Sequence, residues 1–194
     1  MDIRIVTDIA TEVLTAATVQ QYIKFNDSAN TAEISLIAEM TSAVRALFEK
    51  RTGLSFGKRT YECFFRRNEA PFILPVGPVI SVDKVETVDY MGTKTELTLN
   101  SGYYKRGVTQ VEILTSDYGI IQNPFVTFDS SSDLLVTFKA GYGEANITQN
   151  LPADLKVAMY AQIKQWYDNR DDFFEFKLLG NVERVINSHK MHFL

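Results

Sequence analysis

Cysteine and histidine are scarce in this 194-residue chain, which contains one cysteine and two histidines. A single cysteine, Cys63, excludes an internal disulfide and any zinc site built from several thiolates. His189 and His192 could share one face of a helix, but the sequence places no further metal ligands beside them. We therefore predict neither a metal centre nor a cofactor.

A strong charge of one sign and a long hydrophobic run are also lacking. The formal net charge is −4, from 20 basic and 24 acidic residues, whereas proteins that grip nucleic acid cluster Lys and Arg against its phosphates. The apolar stretch from Phe72 to Val82 is short and contains Pro75 and Pro78, and the N-terminal residues form no signal-peptide core. We expect a soluble protein that enters no membrane and does not hold nucleic acid tightly.

The sequence shows no arrangement of residues that is typical of an active site. Catalysis requires a nucleophile or a base of tuned pKa held against its partners. Cys63 lies among aromatic residues in a predicted strand, so we interpret it as an inert buried thiol. Asp171 and Asp172 are adjacent and cannot oppose each other as an acid and a base. The sequence therefore predicts a protein that is not an enzyme.

Helices with broad apolar faces are what the sequence does contain. Residues 15–23 predict a short helix capped by Thr15. Asn30, followed three residues later by Glu33, predicts the start of a long helix, and Gly53 predicts its end.

Two adjacent apolar stripes run along this long helix. The first comprises Ile34, Ile37, Thr41, Val44 and Phe48. The second lies about 100° round the helix and comprises Leu36, Met40, Ala43 and Leu47. Polar residues that include Arg45 and Glu49 are predicted to keep the remaining strip in water. The second stripe is either core within its own chain or an interface with a neighbouring subunit, and both interpretations stay open.

The clearest helix is predicted over residues 152–170 and carries the only tryptophan, Trp166. Pro152 suits the first helical position, and Asp154 meets the positive end of the helix dipole. One apolar stripe comprises Leu155, Met159, Ile163 and Trp166, and a second comprises Val157, Tyr160 and Tyr167. Because a helix that covers only its own core has one stripe, we expect a further partner to cover this one.

Between these helices, from about residue 59 to 142, turn residues separate short runs rich in β-branched and aromatic residues, which predicts an antiparallel sheet. The predicted strands are Arg59–Phe65, Phe72–Leu74, Val79–Val88, Thr95–Leu99, Tyr103–Tyr104, Gln110–Leu114 and Leu134–Lys139. Residues 90–94 predict a hairpin turn, and residues 1–14 suit an arm or a short strand. The order of elements predicts an α+β fold, a bundle of three to four helices with an inserted antiparallel β region.

The chain stays apolar after residue 172, which is not typical of a solvated, disordered end. We predict a single domain over residues 1–172 and an extended C-terminal docking tail over residues 173–194.

In their order, these motifs resemble the head–tail connector (adaptor) proteins of long-tailed bacteriophages, which form a ring beneath the portal. The likeness covers roughly residues 15–170. It is carried by the short and long helices, the strand signal Leu74–Val82, the turn Tyr90–Thr93, the stretch Val136–Gly143, and Leu151–Leu155 leading to Trp166–Arg170.

This resemblance implies a non-catalytic structural protein of the virion neck. It implies a dodecameric ring between the portal protein and the next neck or tail-completion protein, with genomic DNA passing through the lumen. One alternative is another neck component, such as a head- or tail-completion protein. A second is a module that binds small molecules or glycans through Tyr61, Phe64, Tyr103 and Tyr104, and a hydrolase comes last.

Two sets of residues are assigned to assembly. The candidate portal-docking residues are Phe173, Phe174, Phe176, Leu178, Leu179, Val185, Ile186 and Phe193. The candidate subunit interface comprises Leu36, Met40, Leu47, Val157, Tyr160 and Tyr167.

Overall fold

A computed structural model of the chain describes residues 1–27, 30–66, 72–100, 103–107, 112–115, 133–142, 151–169 and 178–191. The chain forms two compact units. The β unit contains residues 1–9 and 58–141, and the helical unit contains residues 10–57 and 142–191. The sequence predicted a single domain with an inserted β region. In the structure the insertion has a hydrophobic core of its own and includes the N-terminal segment.

The described helices belong to the helical unit. They are α1 (Ala16–Ile23), α2 (Thr31–Thr52), α3 (Ala153–Asp168) and α4 (Gly180–His189). The predicted caps of the first two helices are confirmed. The Thr15 hydroxyl accepts a hydrogen bond from the Thr18 N–H (3.3 Å), and the Asn30 side chain accepts one from the Glu33 N–H (3.1 Å). Gly53 ends α2 with φ +76°, a conformation that favours glycine.

Pro152 stands one residue before the position that the sequence predicted for it. It is the N-cap residue of α3, and Ala153 is the first helical residue. The N-cap residue has an extended backbone, and Pro152 has a ψ of 136°. Asp154 lies in the first turn, as predicted.

The core of the helical unit is formed by the first stripe of each long helix. Ile37, Val44 and Phe48 of α2 are fully buried. Leu155, Met159 and Ile163 of α3 are fully buried as well. α4 adds Val182 and Ile186, which occur one turn apart. Apolar spacing therefore located the core of this unit.

Arg45 corrects the prediction that its strip of α2 faces water. Its side chain is only 9% exposed and donates from Nε to Glu12 and from Nη1 to Glu49, both at 2.8 Å. The segment before α1 brings Glu12 over this strip. The prediction was wrong because it considered only the charges on the helix itself.

The β unit contains two antiparallel sheets. Its strands are β1 (Asp2–Thr7), β2 (Arg59–Phe65), β3 (Phe72–Ile73), β4 (Val79–Val88), β5 (Lys94–Glu96), β6 (Tyr103–Arg106), β7 (Glu112–Thr115) and β8 (Asp133–Ala140). The larger sheet has the order β1-β2-β8-β4-β5, and the smaller has the order β3-β7-β6. β2 and β4 have the predicted bounds, and the other predicted strands differ by one to three residues at their ends.

Alternation of side chains along the strands builds the core of the β unit. Tyr61, Cys63 and Phe65 of β2 are buried and the residues between them are half-buried. Phe72 of the smaller sheet packs on Phe65 with the ring centroids 5.5 Å apart. The predicted burial of Cys63 is confirmed, because this thiol is fully enclosed.

The predicted hairpin turn joins β4 and β5. Within it the carboxylate of Asp89 accepts hydrogen bonds from the Met91 N–H (2.9 Å) and the Thr93 N–H (2.8 Å). Gly92 adopts φ +85° in this turn. The turn is therefore held by its own backbone donors.

Candidate assembly surfaces

An aromatic patch is exposed on the helical unit. The rings of Tyr22 in α1 and Tyr160 in α3 stack with their centroids 5.2 Å apart and an interplanar angle of 21°. Tyr22 is 42% exposed, and Val157, one turn before Tyr160 on α3, is 60% exposed. We call Tyr22, Val157 and Tyr160 the tyrosine patch. Large aromatic side chains with an apolar neighbour are typical of the centre of a protein–protein interface.

The second stripe of α2 lies at the border of the helical core. Leu36 and Leu47 are half-buried, Ala43 is exposed, and Met40 packs partly on the core. Tyr167 of α3 is also half-buried against the core. These side chains are neither enclosed nor fully solvated, so the two interpretations of the stripe stay open for Leu36 and Leu47. Met40 has a role in the fold itself.

The C-terminal segment differs from the extended docking tail that the sequence predicted. Over residues 180–189 it is a helix, and Ile186 is only 2% exposed in the helical core. Leu178, Leu179 and Val185 pack partly on the same core. This segment covers its own chain because its apolar residues recur at helical spacing. The predicted docking residues Phe173, Phe174, Phe176 and Phe193 lie outside the described residues.

Polar contacts fix α4 on the helical unit, and the sequence did not predict them. The side chain of Gln162, fully buried in α3, accepts a hydrogen bond from the Leu179 N–H at 3.2 Å. The Met191 N–H donates to the Thr52 carbonyl at 2.8 Å. Both contacts join positions far apart in the chain, so no local pattern could have indicated them.

A side-chain hydrogen bond joins the end of α4 to the start of α3. His189 Nε2 lies 2.6 Å from Asp154 Oδ2. Partial burial of the Asp154 carboxyl opposes its ionisation. Hydrogen bonds from His189 and the Leu155 N–H outweigh that effect, so the pKa of Asp154 lies below its usual value of 3.8. His189 therefore has a structural partner within its own chain.

Two of the residues predicted for small-molecule or glycan binding, Tyr61 and Phe64, can be placed in the structure. Tyr61 is 6% exposed, and its ring stacks on Phe138 inside the β core with the centroids 5.5 Å apart. It cannot stack on a sugar. Phe64 is half-buried. The side chains of Tyr103 and Tyr104 lie outside what the structure describes.

The part of the chain that the structure describes contains no group of three or more acidic, histidine or cysteine side chains placed to hold a metal ion. None of the helices in that part is long and apolar enough to cross a membrane.

Comparison with solved structures gives similarities over the full length of the chain. One is a chain in the virion of a native gene transfer agent particle, with a TM-score of 0.77 and 21% identity, covering 100% of this chain and 97% of that one. A chain in the neck of the empty particle gives a TM-score of 0.75 at 19% identity, with 100% and 97% covered. A chain in the neck of the native particle gives a TM-score of 0.68 at 22% identity, and the likeness covers 100% of this chain and 98% of that one.

This chain has the fold of a neck protein. The resemblance to head–tail connector proteins is thereby confirmed at the level of the fold, and the predicted α+β architecture with it. No protein-family model and no curated protein matches the sequence. The necks of the similar particles were computed with C6 symmetry for the empty particle and C12 symmetry for the native one.

Proposed function

We propose that this protein is a head–tail adaptor of a tailed phage or phage-like particle. Copies form a ring in the virion neck, bind the portal on one side, and meet the next neck or tail-completion protein on the other. The observation that carries this proposal is the likeness to chains of gene transfer agent particles, two of them from necks, which spans this whole chain and at least 97% of theirs.

Ring assembly is supported by the surfaces of the helical unit. A closed ring needs a heterologous contact, in which two different patches of the same protein meet. A lasting contact buries about 800 Å² on each partner. The tyrosine patch and the second stripe of α2 offer two apolar surfaces on different helices, and the C12 symmetry of the similar neck favours twelve copies.

The charge of the chain favours a lumen through which DNA passes without being held. With a net charge of −4, the ring as a whole would repel phosphates rather than retain them. The role needs no catalytic residue, so the adaptor is proposed to be non-enzymatic.

Portal docking is assigned to the aromatic residues that precede α4. Ile186 already serves the helical core, and Leu178, Leu179 and Val185 are partly used there. Phe173, Phe174 and Phe176 are therefore the stronger candidates, together with Phe193 near the C-terminus.

Replacing Phe173, Phe174 and Phe176 together with alanine tests this assignment. Deleting residues 173–194 is a poorer test, because the deletion also removes Val182 and Ile186 from the core. We expect the triple variant to keep the wild-type melting temperature and to lose at least tenfold in affinity for isolated portal rings, measured by co-sedimentation. Unchanged affinity would show that portal docking lies elsewhere.

A further inference from the structure

β1 is an edge strand that is exposed on both faces. All six of its residues are exposed, and Ile3, Ile5 and Val6 expose 37%, 52% and 52% of their surface. β1 pairs with β2 along one side, and no described residue pairs with its outer side. A long, apolar, open edge is a template for pairing with another chain.

The apolar face of the larger sheet continues to this edge. Ile3 pairs with Cys63 and Ile5 pairs with Tyr61. Cross-strand partners point to the same face of a sheet, and both of these partners lie in the β core. Ile3 and Ile5 therefore extend the core face beyond the point at which the protein's own side chains cover it.

The opposite edge of the same sheet is also open among the described residues. β5 ends the strand order, and its three residues, Lys94, Thr95 and Glu96, are all exposed. Because β1 and β5 are different edges of one sheet, a contact from β5 of one copy to β1 of the next is heterologous. Such contacts repeat from copy to copy, and they form a ring when the rotation between neighbouring copies closes.

Strand direction fixes how the two edges would meet. The four pairings β1-β2, β2-β8, β8-β4 and β4-β5 are all antiparallel, so β1 and β5 run in the same direction. Rotation about a ring axis that runs roughly along the strands preserves that direction. β5 of one copy and β1 of the next would therefore pair in parallel.

The charges on the two edges favour the parallel arrangement over an antiparallel one about the same centre. With Ile3 opposite Thr95, a parallel pairing places Asp2 opposite Lys94. It also places Arg4, which donates to Glu62 of its own chain, opposite Glu96, which lies 3.7 Å from Lys84 Nζ. The pair of Asp2 and Lys94 therefore carries the match. An antiparallel pairing about the same centre places Asp2 opposite Glu96 and Arg4 opposite Lys94, which are like charges. Opposite charges in facing positions stabilise a strand pair, and like charges destabilise it.

The charged side chains of the two edges also point to the same face of the larger sheet. One row of cross-strand partners across the sheet comprises Asp2, Phe64, Leu135, Glu86 and Glu96. Asp2 and Glu96 thus share a face, and Arg4 and Lys94 share it too, since residues two apart point the same way. Because Asp2 is level with Glu96 in this row, facing Lys94 requires a displacement of two residues along the strand, about 6.6 Å. Sheets that close on themselves carry such a stagger.

We propose that β5 of one copy pairs in parallel with β1 of the next, with Ile3 opposite Thr95, and joins the larger sheets of neighbouring subunits. The inference rests on the proposed ring and names one of its contacts. β5 has only three residues, so this pairing adds to the contacts of the helical unit.

Paired cysteine substitutions test the contact directly. Within one chain, positions 3 and 95 are separated by four strand spacings, about 19 Å, whereas a disulfide requires Cα atoms within about 7 Å. A bond between them must therefore join two copies. The native Cys63 is fully buried, which keeps it from competing.

The experiment uses the full chain assembled on isolated portal rings under mild oxidation. The variant with both Ile3→Cys and Thr95→Cys is expected to give a ladder of covalent multimers on a non-reducing gel. Ile3→Cys alone and Thr95→Cys alone are expected to stay monomeric there. Asp2→Lys in the double-cysteine chain should lower the cross-linked fraction by about two- to fivefold, as expected for one cross-strand ion pair, and adding Lys94→Asp should restore it.

Electron microscopy of the same samples separates the two proposals. Rings without cross-links would overturn the strand pairing and leave the adaptor proposal standing. Covalent dimers from Ile3→Cys alone would show that β1 pairs with itself, and would also overturn it. Absence of both rings and cross-links would count against both proposals.

Discussion

At the residue scale, Arg45 contributes more to the fold than a surface charge on a helix does. It holds Glu12, from the segment before α1, against α2 and also pairs with Glu49 one turn further along. Removing one partner of a buried ion pair leaves charges without compensation, and such losses cost about 3–5 kcal/mol. The cost here should be smaller, because the side chain of Glu12 is 33% exposed.

Arg45→Ala is expected to lower the free energy of unfolding by about 2–3 kcal/mol, measured by urea denaturation. Lys164→Ala is a matched control, because it removes an exposed pair with Asp168 on α3. Exposed helical pairs contribute about 0.3–0.5 kcal/mol. Equal losses in the two variants would contradict the structural role of Arg45.

The contact between Asp154 and His189 predicts a pH dependence. The pKa of Asp154 is lower in the folded state than its usual 3.8, so the ionised carboxylate stabilises the fold. That stabilisation is fully present above the usual pKa and is lost as the pH falls through the folded-state pKa. Asp154→Asn should therefore be less stable than the wild type at pH 7, with the difference shrinking below about pH 4.

Thermal melts of both proteins between pH 7 and pH 2.5 check this prediction. A difference in melting temperature that stays constant over the whole range would contradict it. His189→Ala serves as the companion variant, because it removes the hydrogen bond and should bring the pKa of Asp154 closer to its usual value. Its loss of stability between pH 4 and pH 2.5 should therefore be smaller than that of the wild type.

Local chemistry decided which residues could be predicted. Thr15, Asn30 and Gly53 cap helices through atoms a few residues away, so the sequence contains the whole signal. Gln162 and Arg45 are polar residues whose partners lie in distant segments. Their burial could not be inferred from the pattern of the helix that carries them.

At the scale of elements, exposure separates the candidate assembly surfaces from the core. Val157 is 60% exposed on a helix whose other apolar positions are largely covered. An interface at the tyrosine patch would bury the Val157 side chain, which the fold of the monomer does not require. Met40 cannot report on assembly in the same way, since it packs on the core.

Val157→Asp is expected to leave the melting temperature within about 2 °C of the wild type, because exposed substitutions cost little. It should reduce ring formation on the portal at least tenfold, measured by native mass spectrometry. Ala38→Asp, at an exposed position of α2 outside the second stripe, is the control and should assemble normally. Normal assembly of Val157→Asp would remove the tyrosine patch from the interface.

Two elements were harder to predict than the rest. β1 alternates polar and apolar residues only over Asp2–Ile5, and Val6 breaks the period, so the sequence indicated only an arm or a short strand. α4 was predicted as part of an extended tail, although Val182, Val185 and Ile186 recur at helical spacing. The surrounding aromatic residues of the tail obscured that period.

At the scale of the whole molecule, the likeness to neck chains gives a single account of the apolar surfaces. The order of helices and strands predicted the fold class, because each element has its own periodic pattern. The division into two units was not predictable in the same way. It depends on two separate hydrophobic cores, and a linear pattern does not show which elements share a core.

The proposed adaptor role is tested most directly by cryo-electron microscopy of the purified protein mixed with isolated portal rings. The account predicts a closed ring of this chain stacked on the portal, with the helical and β units of each copy repeated around one axis. Bare portal rings beside monomeric protein would contradict it, provided that the protein concentration is well above the dissociation constants of typical specific complexes.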